Sequence, residues 1–122
     1  MHLATSRYRN HDAIVSSGLA PLGITLGRPR FFLGYGLAGH RRELAPSRHM
    51  WNMEPAPFIR AYVDKLERQG IDRIMDMIEG LSNERGAVLL CFEDLAQPDE
   101  WCHRTVLAQW IEAKAGVSVP EL

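Results

Sequence analysis

The sequence has little that would carry it into a membrane or cross-link it. No apolar run approaches the roughly 20 residues that a bilayer-spanning helix needs. The first residues, Met1 to Arg7, lack the apolar segment of a secretion signal. Two cysteines are too few for a disulfide framework, which makes a reducing compartment the default. We therefore expect a cytoplasmic chain with no membrane partner.

Several common sequence features are also missing. No repeat, low-complexity tract or long linker divides the 122 residues, so one compact domain over residues 1–122 is expected. Neither common type of Gly-rich phosphate loop is present, and no paired Cys-x-x-Cys motifs indicate a structural zinc site. A phosphate ligand or a metal would therefore need a different kind of site.

Lysine is scarce, and the charges are unevenly distributed. Of the 14 basic residues only Lys65 and Lys114 are lysines. Residues 1–50 hold seven arginines and two acidic residues, a net charge of +5, whereas residues 51–122 hold seven basic and thirteen acidic residues, a net charge of −6. Because arginine pairs bidentately with phosphate and carboxylate, the first half suggests anion recognition. Pairing of these arginines with the acidic half of the same fold is an equally good interpretation.

The apolar pattern predicts an α/β fold. His2 to Tyr8 and Leu19 to Leu26 are typical of strands, and residues 33–57 are expected to be mostly loop. Residues 87–92 are all apolar without alternation, which indicates a strand that is buried on both faces. Helical stripes are expected at residues 58–66, 74–81 and 106–111. The order predicts a mostly parallel central sheet flanked by helices, in a small single domain.

Chemically active side chains follow the buried strand. Cys91, Glu93 and Asp94 lie at its carboxyl end, where open α/β sheets bind ligands. Cys102 is expected in the first turn of the last helix, followed by His103 and Arg104. A helix N-terminus stabilises anions and lowers the pKa of a thiol, so Cys102 is a candidate thiolate.

Each of these residues also has a purely structural interpretation. Cys91 is expected to be a core residue, and His103 and Arg104 could be exposed, with Arg104 pairing with Glu100 one turn earlier. Trp101 and Trp110 are expected in the core. Neighbouring side chains on a helix point about 100° apart, so His103 is not expected to activate Cys102 directly.

Val88 to Asp94, Trp101 to Arg104 and Leu107 to Trp110 closely resemble the signature of domain-of-unknown-function family 488. Thr5 to Asn10 resembles the first strand and turn of that family. Weaker similarities lie at Gly23 to Thr25, Arg28 to Phe31, Leu33 to Tyr35 and Glu43 to Pro46. The resemblance implies a compact α/β fold with these polar motifs on one side of the sheet. Longer members have a full helix where this chain has only the short segment His11 to Gly18.

The leading functional hypothesis is a site for a phosphate-bearing ligand, an anionic small molecule such as a nucleotide or a nucleic acid, with hydrolytic or transferase chemistry. Cys102 is the candidate nucleophile or structural thiol, and Glu93 or Asp94 the candidate general base. The candidate ligand-binding residues are Ser6, Arg7, Asn10, Arg28, Arg30, His103 and Arg104. The sequence leaves open whether the protein is an enzyme and leaves any cofactor unknown.

Two other functions are compatible with the sequence. A regulatory module could bind another protein through the basic loop at residues 40–49 and Trp51, because this segment mixes charge with apolar anchors. A small zinc-binding domain could use Cys91, Cys102 and His103, but three ligands are fewer than a structural zinc site takes, so no metal ligand is assigned. A homodimer is a further partner that the sequence leaves open.

Overall fold

A four-stranded parallel sheet forms the centre of the molecule. The computed structural model describes residues Met1–Leu122. The strands are β1 (His2–Arg7), β2 (Ala20–Gly23), β3 (Gly39–His40) and β4 (Gly86–Cys91). Their order across the sheet is β1-β4-β2-β3, and every pair is parallel. The α/β class and the parallel sheet predicted from the apolar pattern are confirmed.

The helices are α1 (His11–Ser17), α2 (Pro55–Gln69), α3 (Ile71–Leu81) and α4 (His103–Ala115), with 3-10 turns at Arg42–Leu44 and Arg48–Met50. Helix α2 begins with proline, whose missing N–H is harmless in the first turn. Gly70, with a φ of 85°, separates α2 from α3, a backbone conformation that glycine adopts without strain. None of these helices has both the length and the apolar character that crossing a membrane requires.

Strand β4 is buried on both faces because it lies between β1 and β2 and between two apolar layers. Side chains alternate along a strand, so its residues divide between the two cores. Ala87, Leu89 and Cys91 pack into the larger core with α2, α3 and α4. Val88 and Leu90 pack on the other face with α1 and residues 31–37. The continuous apolar run is therefore explained by a central strand.

The N-terminal half departs from the expectations at the second strand. This strand is only four residues long, because the chain turns at Thr25, whose hydroxyl donates to the Gly27 carbonyl at 2.7 Å. Residues 33–57 are mostly loop, as expected, and contain β3, both 3-10 turns and the start of α2. The segment His11 to Gly18 forms a helix of seven residues, in which Ile14 alone is buried.

The C-terminal tail lies along the free edge of β1. The Thr5 N–H donates to the Pro120 carbonyl at 2.8 Å, and the Leu122 N–H donates to the Thr5 carbonyl at the same distance. These bonds hold Glu121 beside the start of α4, where its carboxylate reaches Arg104.

Candidate functional site

A cleft of about 520 Å³ opens at the carboxyl ends of β2 and β4. Its lining combines aromatic side chains with the polar groups that follow β4. The lining residues are Thr25, Leu26, Gly27, Pro46, Trp51, Phe58, Phe92, Glu93, Asp99, Glu100, Trp101, Cys102 and His103. This is the edge at which parallel α/β sheets bind ligands.

Cys102 is the N-cap of α4 rather than part of its first turn. Its backbone is extended, with φ −147° and ψ 147°, and its sulfur accepts the Arg104 N–H at 3.5 Å. The expectation that His103 points away from Cys102 is therefore wrong, because it assumed that both residues are helical. The Cys102 Sγ lies 3.7 Å from the His103 Nδ1. Asp99 and Glu100 do not cap the helix; the thiol does.

His103 is held in a defined orientation between the two thiols. Its Nε2 lies 2.7 Å from the Ile24 carbonyl oxygen. A carbonyl only accepts, so this nitrogen carries a proton and donates. Nδ1 lies 3.7 Å from the Cys102 sulfur, and the Cys91 sulfur lies 3.8 Å from Nδ1 and 3.4 Å from Nε2. The Tyr62 ring packs edge-on against the imidazole at 5.4 Å. The imidazole is 6% exposed, so the prediction that it could be a surface side chain is wrong.

The two thiols have opposite tendencies to ionise. Burial alone would raise the pKa of Cys102, but hydrogen bonds from Cys91 and His103 and the Arg104 N–H lower it to about 3. Burial, together with the neighbouring charge on Cys102, raises the pKa of Cys91 well above its ordinary value. Cys91 therefore remains a thiol that donates to a Cys102 thiolate. Cys91 is fully buried, as a core residue should be, and it also belongs to the site.

Glu93 is the second unusual acid of the cleft. Burial raises its pKa to about 7, and the adjacent Cys102 sulfur adds to the shift. Its Oε2 is buried without a hydrogen-bond partner. Asp94 differs, since its carboxylate accepts the Ala96 N–H at 3.0 Å and lies 3.5 Å from the Arg7 guanidinium, which together lower its pKa. Of the two carboxyl groups, only Glu93 lines the cleft.

Arg104 is fully buried beneath the site and does not line the cleft. Its guanidinium donates to both carboxylate oxygens of Glu121, at 3.0 and 2.8 Å, and to the Glu93 carbonyl at 2.9 Å. The expected pair with Glu100 is absent because Arg104 turns inward. Burial opposes its charge, but the Glu121 carboxylate and the nearby thiols raise the pKa of Arg104 above its usual value.

The other predicted ligand-binding residues lie outside the cleft lining. Ser6 is buried and accepts a hydrogen bond from the Asn10 amide at 3.0 Å, and that amide also reaches the Leu122 carbonyl at 3.3 Å. Arg28 and Arg30 are exposed on the loop that follows Gly27.

Several residues of the site were not found from the sequence. Trp101 is 39% exposed and contacts Phe58 edge-on at 4.7 Å, so the prediction that it is a core residue is wrong, whereas Trp110 is buried as expected. The Ile24 carbonyl and Glu121 contribute through a backbone group and a distant tail, which no local pattern indicates. Trp101, the aromatic residue directly before Cys102, was the one signal in the sequence for this part of the site.

Comparison with known proteins adds one finding. The family model described as "Active DUF488-N3 subclade" matches residues 37–115, more than half of the chain. No curated protein and no solved structure matches the chain. The matched residues include Glu93, Cys102 and His103, which line the cleft, and Cys91, which is buried against His103. The chain therefore belongs to domain-of-unknown-function family 488, in its active N3 subclade.

Proposed function

We propose that the cleft is the site of a hydrolase or group-transferase reaction in which Cys102 is the nucleophile and Glu93 transfers the proton. The observation that carries this proposal is the geometry around Cys102: its sulfur accepts the Arg104 N–H and lines the same cleft as Glu93, whose Oε2 is buried without a hydrogen-bond partner. Burial raises the pKa of that carboxyl group to about 7. A nucleophile beside a proton donor is what covalent catalysis requires.

Two donors to the sulfur are already in place, the Arg104 N–H and the Cys91 thiol. The His103 Nδ1 lies 3.7 Å from the same sulfur. The Ile24 carbonyl fixes the imidazole by accepting from Nε2. The Cys102 sulfur, the His103 ring and the Ile24 carbonyl are thus arranged as in a catalytic triad, in which the third group orients the second.

The reaction proceeds in two steps. The Cys102 thiolate attacks an electrophilic carbon of the ligand, so a carbon–sulfur bond forms as the bond to the leaving group breaks. The Glu93 carboxyl gives its proton to that leaving group. Water then attacks the same carbon and gives a proton to the Glu93 carboxylate, while the carbon–sulfur bond breaks and the sulfur departs as thiolate. An alcohol or amine in place of water makes the reaction a transfer.

The lining of the cleft indicates the class of ligand. Trp51 and Trp101 are 59% and 39% exposed, and Phe58 and Phe92 add further aromatic surface. Aromatic walls of this kind stack on flat rings, and a nucleobase is the commonest flat ring attached to a phosphate. A nucleoside or nucleotide, free or within a nucleic acid, therefore fits the cleft. The cleft lining contains no arginine or lysine, so the phosphate must lie outside it.

The test follows turnover and covalent adducts with nucleosides, nucleoside monophosphates and a short single-stranded oligonucleotide as probes. Cys102→Ser should abolish the reaction, and Glu93→Gln should slow it by about 100- to 10,000-fold. Asp94→Asn is the matched carboxyl control and should retain activity. Turnover that persists in Cys102→Ser would contradict the proposal. If no turnover is found, and a protein captured by the wild type and by Cys102→Ser is lost in Trp51→Ala, the alternative of a protein-interaction module is favoured.

One geometric observation favours a zinc site as a second candidate. The Nδ1 of His103 lies 3.7 and 3.8 Å from the two sulfurs, and a tetrahedral zinc with ordinary bond lengths separates sulfur and nitrogen ligands by about 3.5 Å. The Ile24 carbonyl on Nε2 is also the kind of partner that orients a ligating histidine. Cys91, Cys102 and His103 would hold the ion, which would supply a Lewis acid beside the cleft.

Metal analysis separates the two candidates. The metal site would be established if purified wild-type protein contains stoichiometric zinc and if both Cys91→Ser and Cys102→Ser lack it. That result would also exclude Cys102 as a free nucleophile. Folded, metal-free protein that does not take up added zinc would exclude the metal site.

A further inference from the structure

A second depression, the basic groove, lies beside the cleft. It has a volume of about 570 Å³ and is formed by the first 3-10 turn, the end of α2 and the start of α3. Its lining residues are Leu26, Arg42, Glu43, Lys65, Arg68, Gln69 and Arg73. Leu26 also lines the cleft, so the two depressions adjoin.

The groove carries four basic side chains and one acidic side chain. Burial lowers the pKa of Lys65; the Glu43 carboxylate opposes this shift, and the charges of Arg68 and Arg42 add to it. Lys65 is held in place because its ammonium donates to the Ala45 carbonyl at 2.6 Å. Glu43 lies 3.9 Å from Arg41, which is outside the groove. The positive charge of the groove is thus not neutralised within the fold.

The two depressions favour different parts of one ligand. The cleft offers aromatic faces and the acidic side chains Asp99 and Glu100, which repel a phosphate. The groove offers cations, and Leu26 is the one hydrophobic residue of its lining. A ligand with a flat ring and several phosphates would therefore place the ring in the cleft and the phosphates in the groove.

We propose that the basic groove binds the sugar–phosphate backbone of a single-stranded nucleic acid, with one unstacked base in the cleft. A single strand is favoured because a base within a duplex is stacked and cannot reach such a cleft. A charged groove beside aromatic platforms is also the usual construction of single-strand sites. Only the placement of the base rests on the function proposed above; the groove rests on its own charges.

Binding of a fluorescent single-stranded oligonucleotide of about ten nucleotides tests the groove. Single strands lose affinity with a slope of about −0.7 in log K against log salt for each neutralised phosphate, so three or four contacts give a slope of about −2 to −3. Arg68→Ala with Arg73→Ala should flatten the slope by about 1.4 and weaken binding at least about tenfold at low salt. Arg60→Ala, an exposed arginine elsewhere on α2, should change neither quantity.

Three further probes identify the ligand. An oligonucleotide without bases should bind the groove, but it should lose about 5- to 100-fold in affinity, the contribution of one stacked base, and Trp101→Ala should cause the same loss with the intact strand. Adenosine monophosphate should displace the fluorescent oligonucleotide only weakly. Tight competition by the mononucleotide would instead indicate a free nucleotide and overturn the single-strand assignment.

Failure of the groove and failure of the reaction are distinguishable. Binding that is insensitive to salt, or equal in the Arg68/Arg73 double variant and in Arg60→Ala, overturns the groove even when Cys102 is reactive. Salt-dependent binding that survives Cys102→Ser supports the groove even when no turnover is found.

Discussion

Removal of the Glu121 carboxylate should destabilise the protein far more than its surface position suggests. Glu121 lies in the C-terminal tail with a side chain that is 38% exposed, but its partner Arg104 is fully buried. In Glu121→Ala, the Arg104 guanidinium keeps its hydrogen bond to the Glu93 carbonyl, at 2.9 Å, but loses its hydrogen bonds to both oxygens of the Glu121 carboxylate. The Thr5 hydroxyl also loses its acceptor at 2.7 Å.

The size of the effect follows from the burial of the remaining charge. Removal of one partner from a fully buried pair costs about 3–5 kcal/mol. Because Glu121 is partly solvated, water can enter the vacated position, which reduces the expected loss to about 2 kcal/mol. For a domain of this size the loss corresponds to a Tm decrease of about 6–10 °C. Glu121→Gln keeps the shape and one oxygen, so a smaller decrease is expected.

Urea denaturation and thermal unfolding of the full chain measure this change. Glu43→Ala is the control, since the Arg41–Glu43 pair at 3.9 Å is solvated and should contribute less than about 0.5 kcal/mol. If Glu121→Ala unfolds at the same urea concentration as Glu43→Ala, the tail does not stabilise Arg104 as described.

Two more variants test the sheet and the cleft. Gly86→Ala should lower the free energy of unfolding, measured in urea, by more than about 2 kcal/mol. Gly86 has a φ of 138°, and an added Cβ would collide with the His2 carbonyl. An unchanged urea midpoint would refute this prediction. The folded pKa of Glu93, about 7, exceeds its unfolded value, so the native state binds the extra proton and stability falls as pH rises from about 4.5 to 7. Glu93→Gln should therefore be more stable than the wild type at about pH 8 and about as stable at about pH 4, as measured by denaturation at the two pH values. A stability difference between variant and wild type that is the same at both pH values would contradict the raised pKa of Glu93.

Much of the fold was predictable because its signals are local. The apolar run of β4 and the stripes of α2 and α3 each lie within a short stretch of sequence, and burial explains them directly. Strand β3 could not be predicted, because two residues carry no periodicity and pair only through β2. The limits of β2 depend on the Thr25 turn, which has no distinctive sequence pattern.

Three residues of the predicted site, Glu93, Cys102 and His103, line one cleft, but their contacts were not predicted. The proximity of Cys91, Glu93 and Cys102 follows from the strand-to-helix connection, which the sequence shows. The contact between Cys102 and His103 depends on an extended N-cap, a backbone detail that a helical pattern obscures. The partner of Arg104 lies 17 residues further on in the tail, beyond any local signal.

Direct titration of the Cys102 thiolate tests the proposed chemistry most simply. The ultraviolet absorbance of the thiolate is measured against pH as the difference between the wild type and Cys102→Ser, after removal of metals with a chelator. A sulfur with a pKa of about 3 gives the full thiolate signal already at about pH 6. A thiolate signal that appears only at about pH 8.5, near the ordinary pKa of a thiol, would show that Cys102 is a neutral core thiol. It would contradict the assignment of Cys102 as the nucleophile.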